Sequence, residues 1–127
     1  MAGEMDLQVM LATLSPHRDA REYVFVTGPE HDMRSDAIMS FTEREGVTRI
    51  VPATDETADL RYVRIELQVH SSLTAVGLTA AVSDALTRVN ISANIVAAFY
   101  HDHVFVPTAR ADDALQALLD LSRAAQA

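Results

Sequence analysis

Apolar and polar positions alternate along this chain with two different periods, and the period marks the elements. Leu7, Met10, Leu11 and Leu14 recur at i, i+3, i+4 and i+7, one face of a short amphipathic helix that Pro16 stops. Tyr23 to Thr27 is rich in β-branched and aromatic residues and predicts a strand closed by Gly28-Pro29. Polar Glu30 to Asp36 predicts a loop, and Ala37 to Thr42 a half-buried strand. Glu45-Gly46 turns the chain into a strand over Val47 to Val51, ended by Pro52. Thr54-Asp55-Glu56 has N-terminal helix chemistry and predicts a short helix to Leu60.

The second half has the cleaner pattern. From Tyr62 to His70, Val63, Ile65, Leu67 and Val69 alternate with Arg64, Glu66, Gln68 and His70, as in a strand with one buried face. Ser71-Ser72 then offers an N-cap. Leu78, Val82, Ala85, Leu86 and Val89 carry a helix that Asn90 and Ser92 end. Asn94 to Tyr100 is apolar on both faces and predicts a central strand. His101-Asp102 predicts a tight turn, Val104 to Val106 an antiparallel return closed by Pro107. Asp112-Asp113 opens a last helix with Leu115, Leu118 and Leu119 inward. The order β-α-β-β-α is a ferredoxin-like half-sheet lacking one strand. A strand of the first half, or of another subunit, is expected to complete it. No Gly/Ser linker separates the halves, taken here as 1–60 and 61–127.

Composition narrows the function classes. The 127 residues are 49% hydrophobic and 22% charged, enough for a real core and unlike a disordered chain. Ten basic residues stand against 18 acidic ones, a net charge of −8 with no basic patch, which argues against nucleic-acid binding. Arg61 and Arg64, the one basic pair, read as solvated residues on a strand edge. No run approaches the roughly 18 apolar residues of a membrane helix. The acidic start, Glu4 and Asp6, does not suit a signal peptide, so a cytoplasmic location is expected. The absence of cysteine excludes disulfides, thiolate catalysis and cysteine zinc sites.

With these elements placed, the run Val69-His70-Ser71-Ser72-Leu73-Thr74-Ala75-Val76-Gly77-Leu78-Thr79-Ala80 resembles the strand-to-helix turn of an ACT domain. So does Ile91 to Pro107, and the first half adds Leu14-Ser15-Pro16, Tyr23-Val24-Phe25 and Phe41 to Gly46. The resemblance is to small bacterial proteins of unassigned function with two ACT-like halves, similar to the ACT modules of aspartate kinases and of animal arginine sensors. It implies an α+β fold of ferredoxin-like ACT modules, with antiparallel sheets and helices on one face. It further implies a non-catalytic regulatory protein, paired as a homodimer, that binds a small molecule of the amino-acid class without a cofactor. The ligand-binding set it implies is His70, Ser71, Ser72, Leu73, Val76, Gly77 and Leu78, faced by Asn94 and Ile95 of a paired module. Related turns often carry an Asp-x-Pro-Gly sequence, whereas this loop has serines and no proline.

Elementary chemistry bears on the same residues. A helix N-terminus presents unpaired N–H groups to a carboxylate, Gly77 permits close approach, and Asn94 can meet an amino group or a carboxylate. The residues also have purely structural uses: Ser72 as a cap, Gly77 as a packing residue, Asn94 as a strand start. Two other classes stay open. One is an interaction module without a ligand, built on exposed strand edges. The other is a metal site or enzyme using His70, His101 and His103, although no Gly-x-Ser-x-Gly elbow or phosphate loop accompanies them.

Overall fold

The computed structural model describes residues 3–29, 36–55, 57 and 60–127. The expected loop at 30–35 and positions Glu56, Ala58 and Asp59 of the expected Thr54–Leu60 helix lie outside the described residues. Helix α1 is Leu7–Ala12, with Asp6 as N-cap, its side chain accepting from the Val9 N–H at 3.1 Å. Strands β1 (Pro16–Gly28), β2 (Met39–Thr42), β3 (Val47–Pro52) and β4 (Tyr62–Leu67) follow. Helix α2 (Leu78–Arg88), strands β5 (Asn94–Ala97) and β6 (Asp102–Pro107), a 3₁₀ turn (Thr108–Arg110) and helix α3 (Ala111–Gln126) complete the order.

The strands form a six-stranded sheet in the order β2-β3-β1-β4-β6-β5, and each neighbouring pair is antiparallel. This is an α+β, ferredoxin-like arrangement: β4-α2-β5 is a crossover into whose gap β6 inserts. Long β1 pairs with β4 through Pro16 to Tyr23 and with β3 through Tyr23 to Gly28, so it joins the two halves of the chain in one sheet. Helix residues Met10, Leu78, Val82, Leu86, Ala114 and Leu118 pack on Val63, Ile65, Leu67, Val104 and Val106, which alternation puts on one sheet face. On the opposite face Tyr23, Phe25, Tyr62 and Phe105 make edge-on ring contacts at 5.1–6.1 Å.

Several expectations need correction. Asn94 onward is the edge strand β5, not a central one. It is apolar on both faces because Ile95 packs on the helix-side core while Val96 packs on the opposite-face cluster. Thr54, Asp55, Thr57 and Leu60 are not helical. Thr57 donates to the Thr54 carbonyl at 3.0 Å, and the Thr57 hydroxyl takes the Thr54 N–H at 2.9 Å. Arg61 also donates to that carbonyl, at 2.6 Å, which ties Thr54 to the residue before β4. The arginines are not solvated edge residues. Arg64 lies on interior strand β4 and pairs with Asp19 at 2.8 Å; Arg61 pairs with Glu22 at 3.1 Å. The hairpin turn spans Ala98 to His101, and Asp102 already belongs to β6.

Candidate functional site

Strand β4 ends at Leu67, and the segment His70 to Gly77 leaves the sheet before α2 begins. Ser72 shapes this loop and does not cap the helix: its hydroxyl accepts from the Thr74 N–H at 3.2 Å and its carbonyl from the Ala75 N–H at 3.0 Å. The N-cap of α2 is Gly77, at φ +103°, without a side-chain cap hydrogen bond. The first N–H groups of α2 are therefore free of the usual side-chain acceptor.

An N-terminal strap fixes the loop from outside. Glu4 forms a parallel bridge with Ser71, its N–H donating to the His70 carbonyl and its carbonyl accepting from the Ser72 N–H, both at 2.8 Å. Gly3 beside it lies too close to the His70–Ser72 backbone for a Cβ. No pattern in the chain announced this strap, because backbone pairing leaves no side-chain signature.

Loop, helix start and hairpin enclose a cavity of about 140 Å³ lined by Ser71, Ser72, Leu73, Ala75, Gly77, Leu78, Thr79, Ala97 and Asp102. Its one ionisable group is Asp102, 7% exposed, whose carboxylate has no hydrogen bond or ion pair to a described residue. Burial pushes the Asp102 carboxyl above its ordinary 3.8, opposed by the nearby His103 and His101. A desolvated carboxylate beside unpaired helix N–H groups gives the cavity separate places for a cationic and an anionic group.

Of the residues singled out from sequence, Ser71, Ser72, Leu73, Gly77 and Leu78 line this cavity. His70 instead lies against Tyr100, ring centroids 5.7 Å apart and planes tilted by 48°. Val76 is 82% exposed, and Ile95 packs into the helix-side core. Asn94 pairs with Phe105 and so faces the opposite side of the sheet from Ala97 and Asp102. Asp102 is a cavity-lining residue that the sequence reading left out. Its spacing of two and four from Val104 and Val106 is the signal that puts it on the helix side. Among the described residues no group of three or more His, Asp or Glu side chains comes together to hold a metal. A shallower groove of about 390 Å³ between the ends of α1 and α3 carries one cation, exposed Arg123, and no buried charge.

Family models for the ACT domain match residues 2–65 and residues 60–120. The chain belongs to the ACT domain family. The two ACT matches meet at 60–65, where β4 begins. ACT domains are commonly small-ligand-binding regulatory modules, and they often oligomerise. A crystal structure of a Vibrio cholerae protein of unknown function, described as a possible transport protein, superposes with a TM-score of 0.76. It is 41% identical, with 87% of this chain and 92% of that one covered. No functionally curated protein matches the chain. Among the described residues no helix is long and apolar enough to cross a membrane.

Proposed function

We propose that this ACT protein is a non-catalytic sensor of a small zwitterion of the amino-acid class, bound in the Ser71–Asp102 cavity. The observation that carries the reading is the unpaired, desolvated Asp102 carboxylate in the same cavity as the uncapped start of α2. An α-ammonium group would neutralise Asp102, and an α-carboxylate would take the N–H groups of α2 with the Ser71 and Ser72 hydroxyls. The cavity's small volume suits a compact amino acid or the head of a larger one.

Pairing of two copies is part of the proposal. Leu73, Val76, Phe99 and Tyr100 are 59–82% exposed on the loop and hairpin that bound the cavity. Covering them with a second copy would also close the mouth over a ligand. Each chain would contribute two modules, divided near residues 60 and 61, with a cytoplasmic regulatory role. A thermal-shift series over the twenty amino acids tests the ligand. A true ligand at about 100 times its dissociation constant adds near 2.7 kcal/mol. Absence of a shift with every amino acid defeats the sensor reading. Sedimentation as a monomer, with and without ligand, defeats the pairing.

A further inference from the structure

A second cavity, of about 160 Å³, lies on the sheet face away from the helices, lined by Ile38, Met39, Arg64, Val96, Ala98, His103 and Phe105. Its walls come from the two edges of the sheet. Strands β2 and β5 are separated by four others, so five steps of about 4.8 Å would hold them about 24 Å apart in a flat sheet. Yet Met39 of β2 and Val96 of β5 line one small space. The sheet is therefore rolled until its edges face each other, and both side chains pack on the Tyr23, Ile50 and Phe105 cluster. That roll makes the cavity a built part of the fold.

Most of the lining is methyl, thioether and ring, but two polar groups enter it. The Nδ1 of His103 is buried and has no hydrogen-bond partner among the described residues, a costly state for a polar atom. Burial, with the charge of Arg64, depresses the His103 pKa and favours the neutral ring. Arg64 is held from behind: Nη2 donates to Asp19 Oδ2 at 2.8 Å, and the guanidinium lies 5.5 Å from the Tyr23 ring centroid. A guanidinium has five N–H donors in a rigid fork, so this anchoring leaves donors for another acceptor. Apolar cavities of about 150 Å³ accept a benzene-sized guest and exclude a peptide or helix.

We propose that this cavity is a second ligand site for a small carboxylic acid with a branched or aromatic body, its carboxylate on Arg64 and His103 and its body against Met39, Val96 and Phe105. The site is separate from the Asp102 cavity, from which the sheet divides it.

The test titrates full-length protein, ¹³C-labelled at Met and Val methyl groups, with benzoate and with isovalerate. The expected result is saturable shifts of the Met39 and Val96 methyls, with a dissociation constant on the order of 1 mM or tighter for at least one acid. Benzyl alcohol, with the same ring and no carboxylate, should bind at least about tenfold more weakly than benzoate. Val96→Phe fills the cavity and should remove acid binding while the melting temperature is kept. Should that variant not fold, Ala98→Trp at the exposed rim blocks the same entrance. No saturable shift with either acid, equal binding of benzyl alcohol, or undiminished binding in the filled or blocked variant overturns the proposal.

Discussion

Asp102 and His103 are consecutive residues of β6 whose side chains leave the sheet on opposite faces, one into the α2 cavity and the other into the rolled-sheet cavity. The buried Nδ1 of His103 has no hydrogen-bond partner among the described residues, and the carboxylate of Asp102, a residue 7% exposed, has none there either. For Asp102 the consequence is calculable in sign. Its carboxyl titrates above 3.8 in the folded chain, so its protonated form stabilises the fold below that pH and the benefit is lost as pH rises through the raised value. At neutral pH the ligand-free protein carries a desolvated charge. Asp102→Asn should therefore raise the melting temperature at pH 7 by a few degrees, for about 1 kcal/mol. The gain over wild type should shrink below pH 3.8, and the amino-acid response should disappear. A lower melting temperature at pH 7 would show that Asp102 already has a stabilising partner.

Gly77 holds the entrance to α2 at φ +103°, a conformation that side-chain-bearing residues rarely adopt. Space is the lesser obstacle, since the first atom a Cβ would meet is Leu7 Cδ2 at 3.0 Å, the movable end of a side chain. Gly77→Ala should cost about 1–2 kcal/mol from backbone strain. Gly77→Asn should cost less, because asparagine tolerates left-handed backbone better. Urea midpoints of the two variants check the order. A neutral Gly77→Ala would mean the loop relaxes without loss.

The elements that were legible in the chain are those whose burial has one period. In β4, Val63, Ile65 and Leu67 are buried in strict alternation, and in α2 and α3 Leu78, Val82, Leu86 and Leu118 lie at helical spacing. The first half of β1 was not legible, because Pro16 to Glu22 is mostly polar and its bulge sends Asp19 to Arg64 and Tyr23 instead of into an apolar core. Strand β5 looked central because both its faces are covered, yet one of those covers is the opposite edge of its own rolled sheet. The loop wall of the cavity was legible in the Ser71 to Gly77 run, whereas Asp102 was hidden in a His-Asp-His string that reads as a polar hairpin tip.

The Asp19 network gives the fold an acid limit. Burial alone would raise the Asp19 carboxyl, but hydrogen bonds from the Tyr23 hydroxyl, the Arg21 N–H and Arg64, with the Arg64 charge, outweigh it and bring the pKa from 3.8 to about 2. A carboxyl lowered in the folded state stabilises it above the unfolded value and loses that contribution as pH falls towards 2. The unscreened bound is about 2 kcal/mol, and solvent screening reduces the expected effect to about 1 kcal/mol. Urea midpoints of wild type should fall between pH 4 and pH 2, and Asp19→Asn should start lower and fall less. Parallel profiles for the two proteins would remove Asp19 from the account.

The N-terminal strap ties the loop to the rest of the chain through the two Glu4 backbone hydrogen bonds and a Thr74 Oγ1 contact to Met5 Sδ at 3.9 Å, and Gly3 is its sensitive point. A Cβ there would stand 2.5 Å from Ser71 C, 2.6 Å from Ser72 N and 2.7 Å from His70 O, all backbone atoms that cannot swing aside. Gly3→Ala should lift the strap and break the two Glu4 hydrogen bonds, to His70 and from Ser72. Two hydrogen bonds at about 0.5–1.5 kcal/mol each predict about tenfold or greater acceleration of hydrogen exchange at the Ser72 amide. The melting temperature should change little, because the helix-side core around Val82, Leu86 and Leu118 does not involve Gly3. Ligand response should weaken with the loss of order at Ser71 and Ser72, which the strap holds against the cavity. Unchanged protection of the Ser72 amide in Gly3→Ala would mean that the loop keeps its shape unaided and that the strap is incidental to binding.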